Sequence, residues 1–122
     1  MSFFNNVKKR KNKYGAIRTS GFSSKLEAAV HQVLLLRQST GEIKDIKCQQ
    51  SVLLMGVVRW RIDFSAIDCK SEKLFYIEAK GLSDRVFKMK LKLFKHDPPA
   101  RLEIWRGSYM RPFLSEVVES KK

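Results

Sequence analysis

Two stretches in the middle of the chain, residues 57–67 and 74–80, alternate apolar and polar side chains. Successive side chains of an extended strand point to opposite faces, so this alternation predicts two β-strands that each bury one face. The polar segment 68–72 between them predicts a hairpin connection and therefore antiparallel pairing. A slip of one residue in either strand would carry its polar side chains into the core, so the pattern also determines which residues share a face.

The predicted faces bring three ionisable side chains together. Asp63 lies on the first strand, and Glu78 and Lys80 lie on the second. The residues predicted for the opposite, buried face are Val58, Trp60, Ile62, Phe64, Phe75, Ile77 and Ala79. The convergence of Asp63 with Glu78 and Lys80 therefore follows from the hydrophobic pattern alone.

Helical and strand patterns on both sides of this hairpin predict a protein of the α/β class. Helical spacing of apolar residues predicts a first helix that begins near Ser23 or Ser24 and ends at Ser39. A strand, or a pair of short strands, follows at residues 43–54. A second helix is expected at residues 83–96, with a last strand at 101–106 and a short coil or helical tail from Gly107.

The chain carries a large excess of positive charge, with 25 Lys and Arg against 12 Asp and Glu and a net charge of +13. That excess favours a polyanionic partner, with nucleic acid first and an anionic membrane surface second. No apolar run is long enough to span a bilayer, and the N-terminus lacks the apolar region of a signal peptide. Cys48 and Cys69 form neither a disulfide framework nor a CxxC pair, so we expect a reduced, cytoplasmic compartment.

The charge distribution divides the chain of 122 residues into three parts. Residues 1–18 contain six basic residues and no acid, which predicts a flexible basic arm or, alternatively, a solubilising tail. We expect residues 19–115 to form one domain and residues 116–122 a C-terminal tail. The residues expected to contact nucleic acid are Lys8, Lys9, Arg10, Lys11, Lys13, Arg59, Arg61, Arg85, Lys88, Lys92 and Lys95.

Neighbouring carboxylates such as Asp63 and Glu78 repel each other unless a cation neutralises them. Mg²⁺ favours one or two carboxylates together with water and phosphate oxygens, and it can polarise a phosphodiester. Lys80, on the same face, would hold or deprotonate the attacking water and stabilise the developing charge. These three residues suit metal-dependent phosphodiester hydrolysis. The alternative is an ordinary polar sheet face on which Glu78 and Lys80 form a surface ion pair.

Glu27 is a candidate third carboxylate, because it lies at the margin of the apolar stripe of the first helix. It also follows Ser24 by three residues, as in a capping box, and the sequence leaves both roles open. Gln49 and Gln50 are weaker candidates for an amide ligand or a phosphate contact, for which a strand-edge amide is the alternative. His31 lies one turn after Glu27 and is expected on the helix surface.

Taken in chain order, Glu27, Asp63, Glu78 and Lys80 resemble the site residues of the PD-(D/E)xK nuclease superfamily. The segments G-F-S-S-K-L-E-A-A-V, R-I-D-F and Y-I-E-A-K-G-L-S-D-R look most like phage junction-resolving enzymes of the endonuclease I type. The segment K-Y-G-A at residues 13–16 is similar to the opening of a family of small phage and prophage proteins of the same superfamily. The resemblance covers residues 13–106, and Ile62 replaces the proline of the name motif.

The resemblance implies a restriction-endonuclease-like core, in which helices flank a mixed β-sheet. It implies that Glu27, Asp63 and Glu78 bind one or two Mg²⁺ or Mn²⁺ ions. The Ala79 carbonyl would be a further ligand, and Lys80 would be the catalytic lysine.

The implied activity is that of a DNA endonuclease resolving four-way (Holliday) or branched junctions. The resemblance also implies a homodimer, since two symmetric cuts need two active sites. If a phage encodes the chain, the implied location is the cytoplasm of the host cell. A nicking or flap nuclease, or an endonuclease subunit of a transposition or packaging machine, would keep the same chemistry. A non-catalytic nucleic-acid-binding protein is the alternative of another class.

Overall fold

The computed structural model describes residues 24–121, and the predicted basic arm lies outside them. The elements in chain order are α1 (Lys25–Ser39), β1 (Ile43–Leu54), β2 (Val58–Asp68), β3 (Lys73–Ala79), α2 (Arg85–His96), β4 (Arg101–Ser108) and β5 (Arg111–Val118). The strands form one five-stranded sheet in the order β1-β2-β3-β4-β5. Neighbouring strands are antiparallel except β3 and β4, which are parallel and are connected through α2. The predicted α/β class, with a mixed sheet and flanking helices, is confirmed.

Both helices begin at side chains that cap them. Ser24 is the N-cap of α1, and its hydroxyl accepts a hydrogen bond from the Glu27 backbone N–H at 3.0 Å. Asp84 is the N-cap of α2, and its carboxylate accepts from the Phe87 N–H at 2.7 Å. The helix boundaries therefore agree with the prediction to within two residues. Neither of these two helices is long and apolar enough to cross a lipid bilayer.

Each face of the sheet packs against one helix, so the core has two layers. The cluster beside α1 consists of Leu26, Val30, Leu34, Ile43, Phe64, Ala66, Phe75 and Ile77. The cluster beside α2 consists of Val52, Leu54, Trp60, Ile62, Phe87, Phe94, Leu102, Ile104 and Val118. Alternation in β4 follows these layers, because Leu102 and Ile104 face α2 while Trp105 packs beside α1. The face that carries Glu78 is therefore largely buried, whereas we expected it to be exposed to solvent.

β2 contributes side chains to both clusters. Trp60 and Ile62 pack beside α2, whereas Phe64 packs beside α1, so the prediction that all three share one face is wrong. The pairing of β2 with β3 extends only as far as Phe64, and the strands separate at Asp63. In β1, the residue opposite Asp63 is Gln49, whose backbone is left-handed with φ of 56°. This interruption of the ladder allows β2 to change the face that it buries.

The segment after Gly107 forms a strand rather than the predicted coil or helical tail. Gly107 has φ of 99°, and a Cβ atom there would lie 2.5 Å from the Arg111 carbonyl oxygen, so the β4–β5 hairpin requires glycine. β5 pairs antiparallel with β4 and places Val118, which is 8% exposed, in the core beside α2. β5 also extends past residue 115, where the sequence predicted that the domain ends.

Candidate active site

The candidate site lies where β2 and β3 separate. Glu78 Oε1 accepts a hydrogen bond from the Asp63 backbone N–H at 3.0 Å. In turn, Asp63 Oδ2 accepts from the Ala79 backbone N–H at 2.9 Å. Two carboxyl groups thus occupy the positions that backbone carbonyls hold in the rest of the ladder. The structure brings Asp63 and Glu78 together as expected from the sequence, while their catalytic role stays a prediction.

The two carboxyl groups are poorly solvated, and Glu78 is only 7% exposed. Burial raises the pKa of Asp63 to about 6, although the hydrogen bond from Ala79 opposes this shift. Burial, and then the neighbouring negative charge of Asp63, raise the pKa of Glu78 to about 9. Both carboxyl groups therefore hold their protons to higher pH than isolated ones, and a side-chain hydrogen bond with Asp63 adds to the rise in the pKa of Glu78.

Lys80 extends into the same region from the end of β3. Its Nζ lies 3.6 Å from Asp84 Oδ2 and 5.5 Å from the centre of the Phe87 ring. Its positive charge opposes the burial that raises the pKa values of Asp63 and Glu78. The ion pair of Lys80 is with Asp84, so the alternative of a surface pair with Glu78 does not hold.

Glu27 takes part in the cap of α1 through its backbone and borders the cleft with its side chain, while its role as a metal ligand stays a prediction. Its backbone N–H donates to Ser24 in the helix cap, while its side chain, 3% exposed, is directed toward β1. There Gln49 Nε2 donates to Glu27 Oε2 at 3.2 Å. Gln49 thus contacts one of the cleft carboxylates, and it lies between Cys48 and Gln50, which pair with Phe64 and Ile62. Gln50 instead donates to a carbonyl of its own strand.

The side chains of Glu27, Asp63, Glu78 and Lys80 line one open cleft of about 550 Å³. Its walls come from the start of α1, from β2, from the end of β3 and from the loop before α2. The lining residues are Ser24, Glu27, Asp63, Glu78, Ala79, Lys80, Gly81, Leu82 and Asp84. The four predicted catalytic residues and the predicted carbonyl ligand Ala79 thus border the same space.

The chemistry of this donor set suits a hard divalent cation, since it consists of carboxylates and a backbone carbonyl. Within residues 24–121, no three His, Cys, Asp or Glu side chains are grouped closely enough to hold a metal ion in the arrangement described. Asp63 and Glu78 use oxygen atoms for the backbone and for each other, and Glu27 bonds to Gln49. Burial raises the pKa values of Asp63 and Glu78, and a bound cation would oppose that shift by favouring the charged carboxylates, so these two residues fit a cation that displaces a proton.

The basic residues predicted on α2 form an exposed stripe that begins beside the cleft. Arg85, Lys88, Lys92 and Lys95 are exposed and follow helical spacing, and Lys95 pairs with Glu116 at 2.6 Å. Arg59 and Arg61 are exposed on β2, near the turn that connects β1 to β2. Lys8, Lys9, Arg10, Lys11 and Lys13 lie outside the described residues.

Two neighbours of Lys80 were not identified as site residues from the sequence. Asp84 lies at the start of the predicted second helix and is the N-cap of α2. Arg106 Nη1 donates to the Lys80 carbonyl oxygen at 3.4 Å, a contact that depends on the parallel pairing of β3 with β4. No local sequence pattern signals that pairing, so Arg106 could not be found before the topology was known.

Comparisons of the chain with protein-family models, with curated proteins and with solved structures find no match. The functional interpretation therefore depends on the geometry of the cleft and on the charge of the surface around it.

Proposed function

We propose that the protein is a metal-dependent DNA endonuclease of the PD-(D/E)xK type that acts on four-way or otherwise branched DNA, as a homodimer. The observation that carries the proposal is the meeting of Asp63, Glu78 and Lys80 in one cleft, beside Glu27, where two strands separate. The net charge of +13 supports a nucleic acid as the substrate.

A bound Mg²⁺ or Mn²⁺ would polarise the phosphodiester and neutralise charge that develops on it. Asp63, Glu78 and the Ala79 carbonyl are the proposed ligands, with Glu27 as a further carboxylate. Lys80 holds the attacking water and, through its ammonium group, stabilises the negative charge on the phosphate oxygens. In the reaction, water loses a proton as its oxygen adds to phosphorus, and the bond to one bridging ribose oxygen breaks as that oxygen takes up a proton.

The surface beside the cleft supports recognition through the DNA backbone. The basic stripe begins at Arg85, directly after the cleft residue Asp84, so phosphates bound along α2 would lead into the cleft. Lysine and arginine contacts to phosphate position a duplex without reading its sequence. Such a surface favours selection of DNA by shape, which is what a branched substrate offers.

A cleavage assay tests the proposal with a labelled four-way junction and a linear duplex of the same sequence. We expect the junction to be cut in Mg²⁺ or Mn²⁺ and to stay intact in EDTA. Asp63→Asn and Lys80→Gln should each lower the cleavage rate by about 100-fold or more while junction binding is retained. Lys73→Gln is the matched control, because Lys73 is an exposed lysine at the other end of β3.

Other outcomes of this assay would contradict parts of the proposal. Equal cutting of junction and duplex would remove the junction selectivity and favour a nicking or flap nuclease, or a subunit of a transposition or packaging machine. Tight binding without cutting in either metal would favour a non-catalytic nucleic-acid-binding protein. Loss of folding together with binding in Asp63→Asn would assign that carboxylate a structural role.

A further inference from the structure

The parallel strands β3 and β4 end at the same edge of the sheet, beside the cleft. Their register pairs Ala79 with Trp105, which places Arg106 next to Lys80. The Lys80 backbone N–H donates to the Trp105 carbonyl at 2.9 Å, and Arg106 returns a bond to the Lys80 carbonyl. Ligands of open α/β sheets bind beyond the carboxyl ends of parallel strands, so Arg106 occupies a position suited to a substrate contact.

Arg106 and Lys80 also share one aromatic ring. The Phe87 ring centre lies 5.6 Å from Arg106 Cζ and 5.5 Å from Lys80 Nζ. Phe87 is 4% exposed and makes an edge contact with Trp60, so the ring is held firmly. The face of an aromatic ring attracts cations, and this ring therefore holds the charge of Arg106 close to that of the cleft residue Lys80.

The charge of Arg106 is not balanced in the way that the charges around it are. Lys80 pairs with Asp84, and Arg37 and Arg101 each lie within 4 Å of Glu103. Within residues 24–121, Arg106 makes no ion pair with a carboxylate. A partly buried, uncompensated guanidinium next to a lysine is suited to binding an anion, and its planar fork matches two oxygens of a phosphate.

We infer that Arg106 binds a backbone phosphate of the DNA strand that enters the cleft, beside the phosphate that Lys80 contacts. This inference rests on the proposed function and adds a substrate-binding residue to it. Lys80 keeps its role at the reacting group, while Arg106 holds the strand in place through a bidentate contact.

Binding in EDTA, measured against salt concentration, tests this contact independently of cleavage. We expect Arg106→Gln to lower the slope of log affinity against log salt by about 0.9, the value for one lost phosphate contact. The control Lys73→Gln removes the same charge at the far end of β3 and should leave the slope unchanged. Arg106→Lys should keep the slope, because the charge remains, and should bind several-fold more weakly because the fork is lost.

The same variants are then tested in single-turnover cleavage of the four-way junction. We expect Arg106→Gln to slow cleavage at subsaturating DNA by about 10-fold or more, with thermal unfolding unchanged. A salt slope and a rate equal to those of Lys73→Gln would overturn the inference. If Arg106→Gln does not fold, Arg106→Lys decides: affinity and rate equal to those of the wild type would overturn it. A flattened slope in a protein that cuts no DNA would instead reject the proposed nuclease while the phosphate contact stands.

Discussion

The pairing of Asp63 with Glu78 makes the stability of the protein depend on pH, because folding raises the pKa of both carboxyl groups. A carboxyl group whose pKa is raised on folding binds its proton more tightly in the folded state than in the unfolded state. The stability that this proton provides is present at low pH and is lost as pH rises. For Glu78 the loss extends from the ordinary pKa of 4.5 to about 9, and for Asp63 from 3.8 to about 6. The buried carboxyl pair therefore destabilises the protein as pH rises, and a cation bound there as proposed would offset that loss.

Replacement of Glu78 by glutamine should stabilise the metal-free protein, because the amide keeps the shape of the protonated acid without a charge. In EDTA at pH 7 we expect Glu78→Gln to raise the free energy of unfolding by about 1 to 3 kcal/mol. The wild type should lose stability between pH 5 and pH 9, and the variant should lose less.

Urea unfolding at three pH values measures this difference, with Glu72→Gln as a control at an exposed ion pair with Lys44. Added Mg²⁺ should stabilise the wild type more than Glu78→Gln. A variant no more stable than the wild type at pH 7 would contradict the raised pKa.

At the scale of helices and strands, features that depend on nearby residues could be predicted from the sequence. Features that depend on pairing between distant segments could not. The helix starts were predictable because Ser24 and Asp84 each cap an N–H only three residues away. Strand β5 could not be predicted, because the alternation of apolar and polar residues is hidden there. Its consecutive residues Phe113 and Leu114 are both exposed, and the β4–β5 register contains an irregularity. Alternation identified Asp63 as a site residue, but not that the strand changes its buried face there.

A chain shortened to end at Ser115 tests whether the end of β5 belongs to the fold. The truncation removes Val118 from the core together with its pairing to Leu102 and the ion pair of Glu116 with Lys95. We expect the free energy of unfolding to fall by about 2 to 4 kcal/mol, mostly from lost apolar burial and ladder hydrogen bonds.

A chain that ends at Val118 keeps the whole strand and is the matched control. Chemical denaturation of both proteins measures the difference. Equal stability of the two would mean that residues 116–118 act as the tail that the sequence suggested.

At the scale of the whole molecule, burial and charge leave few places for a polyanion to bind. Each face of the sheet packs against one helix, so DNA can approach the helix surfaces, the sheet edges and the parts of the strands that stay exposed, such as Arg59 and Arg61 of β2. Several carboxylates of the described domain are engaged, as Glu103 is with Arg37 and Asp84 is with Lys80, while the stripe on α2 remains exposed. The positive excess of the chain is therefore available to a partner, and part of it lies in residues 1–18.

Deletion of residues 2–12 should weaken DNA binding and lower its salt dependence, because it removes Lys8, Lys9, Arg10 and Lys11. If each of these four residues contacts a phosphate, the slope of log affinity against log salt falls by as much as about 3 to 4. A full-length chain with glutamine at the same four positions separates charge from length and should give the same slope. Titration of labelled junction at several salt concentrations measures all three proteins. An unchanged slope would show that the arm makes no backbone contact, and binding would then be assigned to α2 and the cleft.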